Sequence, residues 1–287
     1  MRCLSHLGEW EQAAQLAESE WARADPPAKR RLAPMAANAW WRGGRLDAMR
    51  VYLPYMDEKT VDGAFCRGLL LVHDGKFDDA LQVLDMARDL MYTEVSALVG
   101  ESYERAYKSV VKAQQVAELE EVIMYRQSYE RADGVEHREH LRQMWGERLK
   151  GIQGDVDVWQ GILAVHSLVV PPHDNSQAWL KFAALCRNTK RFNLSEKALS
   201  TLLGGAEKRS LHELATSVEP TVALAWFKHL WEVGEKDKAL LGMQTFARVG
   251  NGNHSVMARC HLKLGEWVWS IGEDHLDDAL IQRVLGR

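Results

Sequence analysis

A few groupings in this 287-residue sequence carry the residue types that metal, acid–base or phosphate chemistry needs. His137 and His140 stand three apart beside Glu136 and Glu139, a spacing that puts two imidazoles on one helix face. No H-E-x-x-H arrangement and no third ligand accompany them, so the pair reads as a solvated helix surface rather than a metal site. The run Glu118, Glu120 and Glu121 offers carboxylates for proton transfer, yet on a helix its members point in different directions. It is expected to be a solubilising face. Lys29-Arg30-Arg31, after Pro26-Pro27, has the charge to hold a phosphate and is expected to be a solvated turn between helices. Lys181, Arg187 and Lys190 sit towards the end of a predicted helix, where the backbone dipole favours cations whatever their role.

The motifs of enzymes are missing. The sequence has no phosphate-binding G-x-x-x-x-G-K-[ST] loop, no G-x-S-x-G nucleophile elbow, and neither the D-F-G triplet nor the H-R-D loop that positions magnesium and acceptor in protein kinases. Gly250-Asn251-Gly252 imitates the start of a dinucleotide fingerprint, but no strand precedes it and no third glycine follows. No catalytic residue, no metal ligand and no required cofactor is therefore assigned.

Composition narrows the class. With 46% hydrophobic and 26% charged residues the chain has the make-up of a folded protein, and its seven prolines stand among abundant helix formers. The net charge of −4 gathers no nucleic acid. Cys3, Cys66, Cys186 and Cys260 form no C-x-x-C pair and read as reduced, mostly buried thiols, which with the absence of a signal segment implies a cytoplasmic or nuclear protein. No apolar stretch is long enough for a membrane span. The 11 tryptophans are assigned to filling gaps between helices.

Those helices recur. A turn residue, an aromatic or leucine, an acid and then alanine repeat at Gly8-Glu9-Trp10-Glu11-Gln12-Ala13, Gly44-Arg45-Leu46-Asp47-Ala48, Gly75-Lys76-Phe77-Asp78-Asp79-Ala80 and Gly234-Glu235-Lys236-Asp237-Lys238-Ala239, with weaker echoes from Phe192 and Leu276. The first three glycines are about thirty to thirty-six residues apart, the period of tetratricopeptide-like hairpins. Each glycine lets one helix stop and the chain reverse, and the small alanine lets the paired helix approach. Helices are expected over Gly63 to His73, from Phe77 through Met91, over Glu94 to Tyr107 and over Val110 to Tyr125. Breaks are expected at Ala132-Asp133-Gly134, Pro171-Pro172, Gly204-Gly205 and from Val249 to Asn253. The fold class is all-α, an α-solenoid of tetratricopeptide-like helical hairpins, with sub-blocks at about 1–130 and 135–287.

Several phrases are specific enough to suggest a family. Met1-Arg2-Cys3-Leu4 with Leu7-Gly8-Glu9-Trp10, Asp62-Gly63-Ala64-Phe65, Ala87-Arg88-Asp89-Leu90, Trp145-Gly146-Glu147-Arg148-Leu149 and Met257-Ala258-Arg259-Cys260 with Leu262-Lys263-Leu264-Gly265-Glu266-Trp267 follow one another as in the FAT domain of TOR kinases, which the sequence resembles over nearly its whole length. The resemblance implies a partial FAT-domain solenoid over 1–287, without the kinase domain, in the phosphatidylinositol-3-kinase-related Ser/Thr kinase family. It implies a non-catalytic segment that clamps the kinase domain of the same polypeptide and helps carry TOR-complex subunits in nutrient signalling. By the same resemblance the protein is cytoplasmic, with access to the lysosomal or vacuolar membrane surface and the nucleus through complexes, and does not insert into membranes. The family holds inositol hexakisphosphate in a basic pocket, and Lys181, Arg259 and Lys263 match three pocket residues. Gly154 and Asn188 stand where two further cations belong, with Arg187 or Lys190 placed to compensate.

The start at an internal methionine, the end before any kinase lobe, and the apolar Leu4, Leu7, Val284 and Leu285 at the ends suit a fragment better than the runner-up, a stand-alone tetratricopeptide-like adaptor.

Overall fold

Helix dominates the computed structural model, which describes residues 2–100, 102–206, 210–249 and 254–285; among them there is no strand. The chain divides into two compact units, Met1–Asn175 and Ser176–Arg287.

The first unit carries α1 (Arg2–Leu7), α2 (Trp10–Trp21), α3 (Pro26–Arg42), α4 (Leu46–Met49), α5 (Val61–His73), α6 (Phe77–Val99), α7 (Tyr103–Gln127), α8 (Gly134–Gly151) and α9 (Val156–His166). The second carries α10 (Ser176–Asn188), α11 (Phe192–Leu203), α12 (Leu211–Ser217), α13 (Pro220–Val233), α14 (Lys236–Val249) and α15 (His254–Leu285). Within the units α2 packs on α3, α5 on α6, α6 on α7, α10 on α11 and α13 on α14 as hairpins, the all-α solenoid arrangement that the repeat implies.

The repeated phrase is a repeated backbone device. Gly8, Gly44, Gly75 and Gly234 all adopt positive φ, from 75° to 104°. In each case the residue after the glycine returns its N–H to a carbonyl five positions back: Glu9 to Leu4, Arg45 to Trp40, Lys76 to Leu71 and Glu235 to Leu230, at 2.9–3.0 Å. This is the Schellman closure, which satisfies the last carbonyls of one helix while turning the chain into the next. A fifth copy closes α10 without a glycine. Lys190 takes φ 62°, and Arg191 donates to the Cys186 carbonyl at 2.8 Å. Three alanines of the phrase, Ala13, Ala80 and Ala239, are fully covered, whereas Ala48 is half-buried.

Several helix starts are capped. Thr60 accepts from the Gly63 N–H, Asp155 from those of Asp157 and Val158, and Ser210 with Glu213 forms a capping box. Close approach is set by glycine at Gly68, where a Cβ would lie 2.8 Å from Leu84 of α6, and at Gly242, where it would lie 2.4 Å from the Phe227 ring of α13.

Two expectations need correction. Pro26 and Pro27 do not begin a loop; they occupy the first turn of α3, capped by Asp25, because proline's missing N–H costs nothing there, so Lys29, Arg30 and Arg31 are helical. The helix expected from Glu94 to Tyr107 does not exist as such: α6 runs on to Val99, and α7 starts afresh at Tyr103. The break expected at Val249 to Asn253 lies mostly outside the described residues, as do Gly250-Asn251-Gly252 and the side chains of Val284 and Leu285. The compact units part at Asn175/Ser176, and α8 and α9 both pack on α7. Of the tryptophans, Trp10, Trp40, Trp41, Trp145, Trp159, Trp226 and Trp267 are buried between helices, whereas Trp269 is 71% exposed. Cys66, Cys186 and Cys260 are buried thiols outside any disulfide and Cys3 is an exposed one.

Candidate functional site

Most of α13 is an apolar wedge, with Val222, Ala223, Leu224, Trp226 and Phe227 buried. Lys228 interrupts it. The ammonium is held below the usual lysine range, first by burial and then by three cations, Lys263, Arg187 and Arg259, with Glu266 opposing them. Three basic side chains from two other helices therefore act on Lys228 of α13: Arg187 from α10, and Arg259 with Lys263 from α15. Residues four apart share a helix face, which is how α15 supplies two of them.

The cluster is under-neutralised. The guanidinium of Arg187 is shifted down by desolvation, with Glu232 partly offsetting, and its Nη1 is buried without a hydrogen-bond partner among the described residues. Beside it His229, covered by Phe192 and Trp226, is pushed down to about 4 by burial and then by the Arg187 charge. Glu266 pairs with Lys263, and Glu232 lies 4.0 Å from Lys190. The Arg259 Nε donates to the Ser255 carbonyl at 3.2 Å. Cations brought together in a partly desolvated place repel one another unless an anion joins them, and phosphate oxygens accept charge-assisted bonds from both guanidinium and ammonium groups.

The structure thus brings together Arg259 and Lys263 of the three residues the sequence singled out. Lys181 is exposed on α10, and it is not among the charges acting on Lys228. Arg187 joins the cluster, as its position as a compensating cation implies; Lys190 instead faces Glu232 and the Phe192 ring, 5.8 Å from its centroid. Lys228 was not anticipated. Its signal was available in the sequence, because a lysine set in Trp226-Phe227-Lys228-His229 of an otherwise apolar helix needs a partner.

The remaining candidates fall elsewhere. His137 is half-buried and His140 exposed on α8, and no group of three metal-ligating side chains exists among the described residues. The Glu118–Glu121 run is not a solvated face. Glu118 is fully buried, 3.0 Å from His166 Nε2, and accepts from Gln114; Glu121 accepts from Trp145 Nε1 at 2.7 Å and from Arg148 at 2.8 Å; Glu120 pairs with Arg88. Because α7 is covered by α6, α8 and α9, carboxylates that diverge around it each meet a different neighbour and form a structural network. No helix of the described residues is long and apolar enough to cross a membrane.

Comparison with known proteins gives a consistent result. A family profile described as FAT domain matches residues 33–286. The serine/threonine-protein kinase TOR of Arabidopsis thaliana is 35% identical over 326 residues, an alignment covering 99% of this chain and 13% of that protein. The serine/threonine-protein kinase mTor of Drosophila melanogaster is 36% identical, covering 98% and 12%, and TOR2 of Saccharomyces cerevisiae 37% identical, covering 93% and 12%. The chain spans about an eighth of the length of these relatives.

Proposed function

This chain belongs to the FAT-domain family as found in TOR-type kinases, and from that premise we propose that it is a non-catalytic regulatory segment of a TOR-type Ser/Thr protein kinase. In this reading the helical hairpins clamp the kinase domain of the same polypeptide and present surfaces for complex subunits. Regulation would operate by population shift: hairpins that contact the closed and open kinase differently bias the equilibrium by the difference in contact energy, commonly about 1–3 kcal/mol. The observation that carries the proposal is the match along 93–99% of the chain to proteins whose shared name is kinase, by a segment that itself contains none of the phosphotransfer motifs.

The basic cluster of the second unit supports a second element of the same proposal. Arg187, Lys228, Arg259 and Lys263 would hold inositol hexakisphosphate as a structural ligand, with Lys181 at most peripheral. The unpartnered Arg187 Nη1 and the mutual repulsion felt by Lys228 are the features that such a polyanion would relieve.

The clamp is tested by replacing the corresponding segment of a TOR kinase with this chain and measuring phosphorylation of a protein substrate. A chimera that keeps regulated activity supports it, while activity identical to that of a kinase lacking the segment rejects it. The polyphosphate element is tested by calorimetric titration of inositol hexakisphosphate at low salt: saturable binding weakened at least fivefold by Lys228→Ala or Lys263→Ala is expected, and absence of heat rejects it.

A further inference from the structure

Between α3, α5 and α7 of the first unit lies a cavity of about 290 Å³. One wall is apolar, made by Val116 and the edge-to-face pair Trp41 and Phe65, whose ring centroids are 5.6 Å apart. The other side is cationic, with Arg42 in the interior and Lys112 at the exposed mouth, where it is paired with Asp62 at 2.7 Å.

Arg42 is held in place and left partly unused. Its guanidinium lies against the rings of Trp10, at 4.9 Å, and Trp41, at 5.3 Å. Nε donates to Asn38 Oδ1 at 3.0 Å and Nη1 to the Asp157 carbonyl at 2.9 Å. Both acceptors are neutral. Among the described residues no carboxylate lies within ion-pair distance of Arg42; Asp157 and Asp155 act on it only from further off, and burial dominates, shifting it below the usual arginine range. Its Nη2 makes no hydrogen bond among the described residues.

The backbone makes room for this arrangement. A Cβ on Gly161 of α9 would come 2.4 Å from Gln115 Nε2, so the glycine lets that amide lie where it does beside Arg42 without shifting its end. Cys66, which also lines the cavity, is pushed up to about 12 by burial and then by Asp62, and so stays a neutral thiol that adds to the apolar wall. A fixed guanidinium with no carboxylate in ion-pair reach, beside an aromatic wall in a space of ligand size, is the complement of one chemical class.

We propose that this cavity binds an aromatic monocarboxylate, its ring laid on the Trp41–Phe65 wall and its carboxylate received by Arg42, with Lys112 at the mouth.

The probe is 2-naphthoate, titrated into the full chain at low salt by calorimetry and tryptophan fluorescence, with 2-naphthylmethanol as its uncharged counterpart. Saturable one-to-one binding of the carboxylate is expected, at least tenfold tighter than that of the alcohol. Arg42→Met should abolish that preference while the alcohol binds as before, and Lys112→Gln should weaken the carboxylate two- to threefold. If Arg42→Met does not fold by circular dichroism, Val61→Trp serves instead: it fills the cavity from its half-buried rim and should abolish binding of both probes. Equal affinity for the two probes, no saturation at millimolar carboxylate, or full binding by Val61→Trp would each overturn the proposal.

Discussion

One chemical change, glycine to alanine, should have opposite consequences at two helical positions. Gly146 lies on an exposed face of α8, and nothing is within 4 Å of a Cβ added there. Gly146→Ala therefore gains only the helix-propensity difference, about 0.5–1 kcal/mol of stability. Gly242 lies in α14 against α13, where the added carbon would meet Phe227 Cε1 at 2.4 Å, Cδ1 at 2.6 Å and Cζ at 3.1 Å. That ring is fully buried and cannot swing aside as a flexible side chain would. Overpacking of this kind costs about 1–3 kcal/mol, which exceeds the propensity gain of about 1 kcal/mol, so Gly242→Ala should be net destabilising. Urea denaturation followed by far-ultraviolet circular dichroism reads both variants as midpoint shifts at constant slope. The cause is isolated in a Phe227→Leu background, where Gly242→Ala should lose at least about 1 kcal/mol of its penalty through the coupling expected of contacting residues. If Gly242→Ala stabilises the protein as Gly146→Ala does, the close packing of α13 on α14 is refuted.

Other consequences follow from the same structure. Lys190→Gly should stabilise the protein by roughly 0.5–1 kcal/mol, since it relieves a left-handed residue at a strain of about 1–2 kcal/mol and loses only weak exposed contacts with Glu232 and the Phe192 ring; a lowered urea midpoint would count against the fifth Schellman turn. His229, with its folded value near 4 against an ordinary 6.5, binds fewer protons folded than unfolded between those limits, so stability should fall as pH drops from 6.5 towards 4. Thermal melts of wild type and His229→Phe across that range check it, and an identical pH dependence in the two would contradict it. Of the four thiols, only Cys3 should react promptly with a thiol-specific reagent in native protein, with Cys66, Cys186 and Cys260 following on denaturation; Cys66 and Cys260 are doubly protected, as burial raises them to about 12 and about 11.

The hairpins were legible because their signals are local. A glycine two residues before an aromatic or leucine, followed by acid and alanine, specifies the left-handed turn, the dipole-compatible first turn and the close approach together; three such phrases, and a fourth with Lys236 in the aromatic place, became four like closures. The fifth was only an echo, since Lys190 takes the conformation without being glycine, in a turn closed by the Arg191 N–H on the Cys186 carbonyl that no local pattern announces. The Glu118–Glu121 network was hidden for a related reason: divergent carboxylates look solvated until three other helices close around α7. In the basic cluster, Arg259 and Lys263 were visible through family phrases and Arg187 as a neighbouring cation, but Lys228 enters through the packing of α13 against α10 and α15. Lys181 was drawn in by the same resemblance, yet it does not act on Lys228 in the structure.

The central proposal, that these hairpins act by holding a kinase domain, is tested most directly in trans. The chain is titrated against a separately produced TOR-type kinase domain while complex formation and phosphorylation rate are followed together. Surfaces between domains of one polypeptide are usually modest, so a dissociation constant in the range of about 1–100 μM is expected, with the phosphorylation rate changing along the same saturation curve. A kinase domain that neither binds the chain at about 100 μM nor changes its rate would contradict the account.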